Sequence, residues 1–562
     1  MNPLQSLRKL DPDARAFAFG YLVLLPLFLV PLFVTRFLPG LDLPFHLAMA
    51  DMLDKGGLAT DPYRDVYVAK LGLEPYAAHF IALRLLGHHW PLMTAHKIIV
   101  GIYVATLPLS LAALLGAARR SRLPALLAFP LAYNLTLHYG FVSFALSLPM
   151  LLVLLATLAR FLLADEVRPG WAVATAVAAA ALFLCHLQNF LFGVCAAGAL
   201  LLFAGVPWRR RLLGGLAFLP AVGLLLRWHL TRSFEGGGEE RKTLTFAWLS
   251  LRGERLSDMH GHTVLRDFAL RFRDLPYHLL RGFVDEIDVV ASCALLVILG
   301  AFMILGIVAL FAPRTDAPPA RLRIASAIIF GGALLAYLGL PHHLRSYELM
   351  TFYPRFSVLL VLIGTLLVPG ALLRFEGFSR LLLLVLPVMF GVLYGREVIR
   401  HYQYYDAEVS DFDAVLSKTP PGGRALGLVF DRSSKVMRIE SAMVGMPSLY
   451  AALRPAPQAM VPIFYCGMRH MPCRRLEQGR LMPDPGPFSP AGLSPAAAID
   501  YFDYFFVRLP PARPIFGADI ARLELLAQEG SWLVYRRKPV VPAAAPAPAA
   551  AVAGKKPGSD VD

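Results

Sequence analysis

Long charge-free stretches alternate with short arginine-rich segments along this chain, and the pattern predicts a polytopic α-helical membrane protein. An ionised side chain at the bilayer centre is costly, so uninterrupted apolar runs mark the spans. The first covers 16–35, behind Arg8, Lys9 and Arg15. It is too long for a signal-peptide core and lacks a small-residue cleavage site, so it reads as a retained signal anchor. Further runs occupy 98–118, 123–159, 171–208, 212–226, 289–313, 324–344, 356–373 and 381–395. A crossing takes roughly 20 residues. The two longest runs each read as a pair of short helices joined by a polar turn, at 134–140 and 186–189. About eleven transmembrane helices are expected on this reading.

The arginine clusters then set the orientation. Counting from a cytoplasmic N-terminus (1–15) puts Arg119/Arg120/Arg122, Arg168, Arg209/Arg210/Arg211, Arg314/Arg321/Arg323 and Arg374/Arg380 all inside, as the positive-inside rule requires. The same count places on the outer side of the membrane the loops 37–95, 227–288 and 341–355 of the membrane domain 16–397, both polar turns, and everything after 397. All fifteen histidines fall on that outer side or at outer helix ends. They are either polar residues gathered at an interface or the lining of a cavity open to the outer leaflet.

Residues 398–539 change character and predict a small periplasmic α/β domain. Runs at 425–430, 500–507 and 531–536 read as strands, and 520–528 has helical spacing. No G-x-G-x-x-G or P-loop occurs, which removes a nucleotide site. The Pro/Ala-rich stretch 540–562 reads as a disordered tail. Cys466 and Cys473 are candidates for a disulfide in an oxidising compartment. The spacing suits zinc less well, with His470 the only nearby helper. Cys185, Cys195 and Cys293 lie in spans, as small apolar residues.

Composition sharpens this picture. Of 562 residues, 57% are hydrophobic and only 17% charged, with a mean hydropathy of +0.57. An ordinary soluble enzyme and a disordered chain are both excluded. The net charge of +15 comes from the clusters between spans, so no nucleic-acid partner is expected.

Candidate chemistry begins just after the first span. Asp42, His46 and Asp51 follow one another at helical spacing. Asp42 reads either as a helix N-cap, with Pro44 as an early helical residue, or as a general base or half of a cation site. Arg345 and Arg355 flank two outer helix ends, where planar guanidinium groups suit a lipid phosphate. They could equally be snorkelling anchors. The two turns add Asn134, His138, His186, Gln188 and Asn189, which suit sugar hydroxyls or the capping of broken helices. His260-x-His262, His88-His89 and His342-His343 are weak metal signals.

This order is one span, an acid opening a long outer loop, many spans, then an outer α/β domain. It resembles the GT-C superfamily of membrane glycosyltransferases, which use polyprenyl-phosphate-linked sugars. The resemblance covers 16–397 in layout. It includes the acid at Asp42, the loop residues Asp61-Pro-Tyr-Arg-Asp65 and Glu74-Pro-Tyr76, and an apolar stretch running to Leu86. It implies an inner-membrane enzyme that moves a sugar, hexosyl or pentosyl, from a polyprenyl phosphate to an envelope glycan, lipid or protein, with Asp42 as base or cation ligand. The family's frequent paired acids are absent, and His46 is the second polar group here. A divalent cation, if any, would fall to Asp42 and His46. Single displacement would invert the anomeric centre. Two other classes remain open: a polytopic transporter or flippase-like protein, and a non-catalytic polysaccharide assembly protein. A carrier would carry internal repeats and mid-membrane charges, and no repeat is visible by eye.

Overall fold

The computed structural model describes residues 11–56, 58, 60–164, 166, 168–235, 252–310, 320–343, 351–370, 372, 377–464, 473–476, 482–510 and 514–539. Helices occupy every apolar run read from the sequence. The first is α1 (Pro12–Val34), started by Asp11, whose carboxylate accepts the Ala14 N–H at 2.7 Å. After it come α2 (Leu43–Lys55), α3 (Ala77–Gly87), α4 (Leu92–Ala117) and α5 (Val142–Leu163). Next are α6 (Pro169–Cys185), α7 (Leu187–Phe203), α8 (Ile287–Leu310), α9 (Ala320–Gly339), α10 (Phe356–Gly364) and α11 (Gly377–Glu408).

Among the described residues, six helices are long and apolar enough to cross a membrane, and a pair bent by 42° (Trp208–Leu216 and Leu219–Thr231) would be a seventh. Two other apolar runs hold three shorter helices, α6 and α7 in 171–208 and Phe356–Leu367 in 356–373. Run 123–159 divides as expected: a short helical segment ends at Ala132, Leu135–His138 forms one turn, and α5 follows. Helix α11 continues unbroken past residue 397 to Glu408.

The basic clusters gather at one end of the bundle. There Arg122 pairs with Asp11 at 2.9 Å, and buried Asp13 accepts the Ser121 hydroxyl and the Arg122 N–H. Arg120 reaches the Val368 carbonyl, and Arg210 those of Leu162 and Ala164. A Cβ on Gly205 would lie 2.6 Å from Arg321, so that loop closes on the same end.

The opposite end carries the C-terminal sheet unit. Its four strands run in the order β2 (Ala425–Val429), β4 (Tyr504–Arg508), β6 (Trp532–Arg537), β5 (Leu523–Glu529), with β2 and β4 parallel and the rest antiparallel. Segment 520–528 is therefore no α-helix: it leaves a 3-10 turn at Arg522 and is strand from Leu523 on. A bulge between Leu525 and Ala527 interrupts the two-residue alternation and leaves Leu523 and Ala527 as the buried positions. Those positions are four apart, the spacing of a helix face, and cross-strand pairing decides against it. The strand expected at 500–507 begins only at Tyr504, because Pro495 opens a short helix that runs to Tyr501. A two-stranded pairing of β1 (Tyr67–Ala69) with β3 (Cys473–Arg475) ties the first loop to this unit. Cys466, His470 and the tail 540–562 lie outside the described residues, as does the side chain of Cys473.

Candidate active site

Asp42 occupies the N-cap position of α2, but its side chain makes no capping hydrogen bond. Capping therefore does not account for this acid. Its residue is only 7% exposed. Its backbone N–H donates to the Tyr139 carbonyl at 3.0 Å, which sets the start of α2 against the turn 134–140. Gly140 makes the approach possible. Its φ is +86°, and a Cβ there would sit 2.8 Å from the Leu43 nitrogen and 2.9 Å from that of Asp42. Asn134 builds the turn by accepting the Thr136 and Leu137 N–H groups and donating to the Tyr103 hydroxyl and the Leu131 carbonyl. Of the two readings of Asn134, helix capping is the one realised.

Arg355 comes to the same place from more than three hundred residues away. Its guanidinium carbon lies 4.1 Å from the Phe141 ring centroid, and Nη1 approaches His186 Nε2 at 3.4 Å. It is 7% exposed, so it is not a snorkelling anchor, which would keep its head in water. Burial pushes its pKa down to about 10, while Tyr76 and Asp42 act to raise it. Arg355 stays a cation at neutral pH, within electrostatic reach of Asp42. His186 sits at the α6–α7 break, its ring 4.8 Å from that of Tyr76 and 5.1 Å from that of Phe144. Tyr76 is buried at a φ of +70°, and burial pushes its hydroxyl up to about 12, with Arg355 acting the other way.

The remaining predicted residues divide. His138 is fully buried beside the loop that follows Leu275–Leu280, where a Cβ on Gly282 would come within 2.1 Å of its Nδ1. Gln188 Nε2 reaches the Phe352 carbonyl at 3.5 Å. Asn189 donates to Ser147 Oγ at 2.5 Å and so joins α7 to α5. His46 is buried in a row of imidazoles. Its ring lies edge-on to His79 and Phe80, and His79 Nε2 is 3.4 Å from His96 Nδ1. Burial lowers the pKa of His46 to about 4 and that of His79 well below its usual value, so both are neutral at pH 7. Asp51 belongs to the far end of α2. It pairs with Lys55 at 2.7 Å, and Lys55 also donates to the Ala459 carbonyl. Burial still raises its pKa to about 6 against the pull of Lys55. Arg345 lies outside the described residues.

Two residues near the site were not among the candidate site residues: Tyr76, read only as part of the Glu74-Pro-Tyr76 loop motif, and Arg281. Burial raises the Tyr139 hydroxyl's pKa; Arg281 acts to lower it, and Glu440 and Asp42 to raise it further. Tyr139 thus lies within electrostatic reach of both Arg281 and Asp42. Arg281 Nε is buried without a hydrogen-bond partner among the described residues. Nothing in the local sequence distinguishes Arg281 from the other arginines of the loop 227–288. Among the described residues, no group of three or more His, Cys, Asp or Glu side chains is disposed to hold a metal ion.

The neighbourhood offers a buried carboxylate at Asp42, the Arg355 guanidinium with His186 and Tyr76 beside it, and Arg281 within electrostatic reach of Tyr139. That set can take a proton from a hydroxyl and neutralise a leaving phosphate. No family model matches this chain, and no curated protein matches it. Two crystal structures of ArnT from Cupriavidus metallidurans align with it over 92% of its length at a TM-score of 0.49. One is bound to undecaprenyl phosphate (13% identity, 97% of that chain covered) and the other is apo (12% identity, 98% covered).

Proposed function

We propose that this chain is a GT-C-type inner-membrane glycosyltransferase that moves a sugar from a polyprenyl phosphate to an acceptor on the outer face. The carrying observation is the gathering of Asp42 and Arg355 into one buried site at the end of the bundle away from the basic clusters. On this reading Asp42 is the general base. It takes the proton of the acceptor hydroxyl as that oxygen bonds to the anomeric carbon. The bond from that carbon to the phosphate oxygen breaks on the opposite side, and the configuration inverts. Arg355 and Arg281 receive the negative charge that develops on the departing lipid phosphate. His186 and Tyr76 hold Arg355 in place. The shorter apolar helices complete about eleven crossings, with the C-terminal unit periplasmic.

Buried ionisable groups favour an interfacial enzyme over a carrier. They lie at helix ends, Asp13 and Arg120 at one, Lys97, Asp288 and Arg355 at the other, whereas a carrier needs them mid-membrane.

The test is mass spectrometry of envelope glycans and lipid-linked sugars in a deletion strain. Loss of one glycan substituent and accumulation of its lipid-linked donor are expected, reversed by the wild-type chain and not by Asp42→Asn. Full rescue by that variant would remove Asp42 from the chemistry.

A further inference from the structure

The segment 431–447, between β2 and the helix Leu449–Leu453, has almost no regular structure, yet Met437, Ile439, Ala442, Met443 and Val444 are buried. A loop so placed needs its backbone groups satisfied, and its anchors come from two directions. Arg508 on β4 donates to the Asp431 and Ser433 carbonyls at 2.9 and 2.7 Å. Glu408, the last residue of α11, accepts the Ser434 hydroxyl at 2.5 Å and the Lys435 N–H at 2.7 Å. Ser434 in turn accepts the Val436 and Met437 N–H groups. The segment is thereby fixed both to the sheet and to a membrane helix.

From that base it touches both halves of the site. On one side it pairs with the Arg281 loop: the Val284 N–H donates to the Val436 carbonyl at 3.0 Å, and the Arg438 N–H to the Gly282 carbonyl at 2.8 Å. An Arg438–Glu286 ion pair closes the contact. On the other side Gly445 lies against the turn that carries Asp42. A Cβ there would be 3.0 Å from the Leu41 carbonyl oxygen and 3.1 Å from Pro44 Cγ. Between the two contacts, the charge of Glu440 reaches Tyr139, whose carbonyl holds the Asp42 N–H.

We propose that 431–447 is a clasp that sets the distance between the Asp42 turn and the Arg281 loop, so that the C-terminal unit is a positioning element for base and phosphate site together. This deepens the glycosyltransferase reading and rests on it for the identity of the ligand. A bond-making step tolerates little misplacement of its groups, and these two groups lie on segments that share no regular element. Arg438 and Gly445 are positioning residues on this view.

The full-length chain in detergent is compared as wild type, Arg438→Ala, Arg438→Pro, Gly445→Ala and Gly445→Val. Amide hydrogen exchange is read at 41–46 and 281–286, and binding is read with undecaprenyl phosphate. Loosening either contact should raise exchange in the opposite arm as well as its own. The Arg438 variants should weaken undecaprenyl phosphate by about tenfold, and Gly445→Val should do so more than Gly445→Ala. The clasp is overturned if each variant's exchange stays in its own arm, or if exchange spreads while affinity is unchanged. A wild-type chain that does not bind undecaprenyl phosphate refutes the proposed donor instead, and the exchange data alone then decide the clasp.

Discussion

Two aspartates stand at the starts of helices at opposite ends of this bundle, and they are used differently. Asp11 caps α1, and two residues on, buried Asp13 gives its oxygens to Ser121 and the Arg122 N–H. Each of these acids closes a local account of backbone and side-chain donors. Asp42 begins α2 in an αR conformation without capping it, and the charge that reaches it comes from Arg355, distant in sequence. A carboxylate buried without serving its own helix costs stability. On the proposed function that cost is borne for chemistry, whereas the Asp11–Asp13 pair ties a helix start to the Arg122 segment.

Exchanging the two roles by mutation is the sharpest way to break this contrast. Asp42→Asn should lower sugar transfer by ~10²–10⁴-fold, the usual worth of a general base, with the melting temperature held. Asp13→Ala should cost about 1–3 kcal/mol by stranding buried donors, with transfer per folded molecule retained. Transfer assays and thermal unfolding on both variants check the pair, and a loss of activity in the second without unfolding would dissolve the distinction. Arg355→Ala should weaken polyprenyl phosphate binding by about 10–100-fold, the range of a charge-assisted hydrogen bond. Arg355→Lys should recover only part of that, since the planar fork is lost.

The histidines beside the Asp42 helix give a smaller, pH-dependent effect. The folded pKa of His46, about 4, lies below its usual 6.5, so the unfolded chain takes up the proton first as pH falls. Stability is then lost from about pH 6.5 down to about 4, by ~1–2 kcal/mol between pH 7 and 5 for one such group. Thermal unfolding of wild type and His46→Gln at the two pH values measures it, and an equal pH response in both would remove His46 as its source. The smallest effect is expected from Asp11→Ala, about 1 kcal/mol of helix capping, read in the same unfolding experiment.

Legibility followed the range of the forces involved. The helical runs, the break at 134–140 and the grouping of basic clusters could be read because burial cost in a bilayer acts residue by residue. The turn at 186–189 was legible too, and the structure breaks α6 from α7 at His186. The strand at 523–529 was not, since a bulge gave it a helix-like spacing that only pairing with β6 resolves. Asn189 read as a sugar contact or a helix cap, and its amide donates to Ser147 Oγ; an amide in an apolar run says that it needs a partner but not which one.

Sequence alone determined that the chain is a membrane helical bundle with an acid opening its first long loop, since apolar length and charge placement are one-dimensional properties. Only the tertiary structure decided that Arg355 comes within electrostatic reach of that acid, and that Asp42 makes no cap to its own helix. Electrostatic and hydrogen-bond contacts act over a few ångströms in space, and which distant segments come that close is fixed by packing.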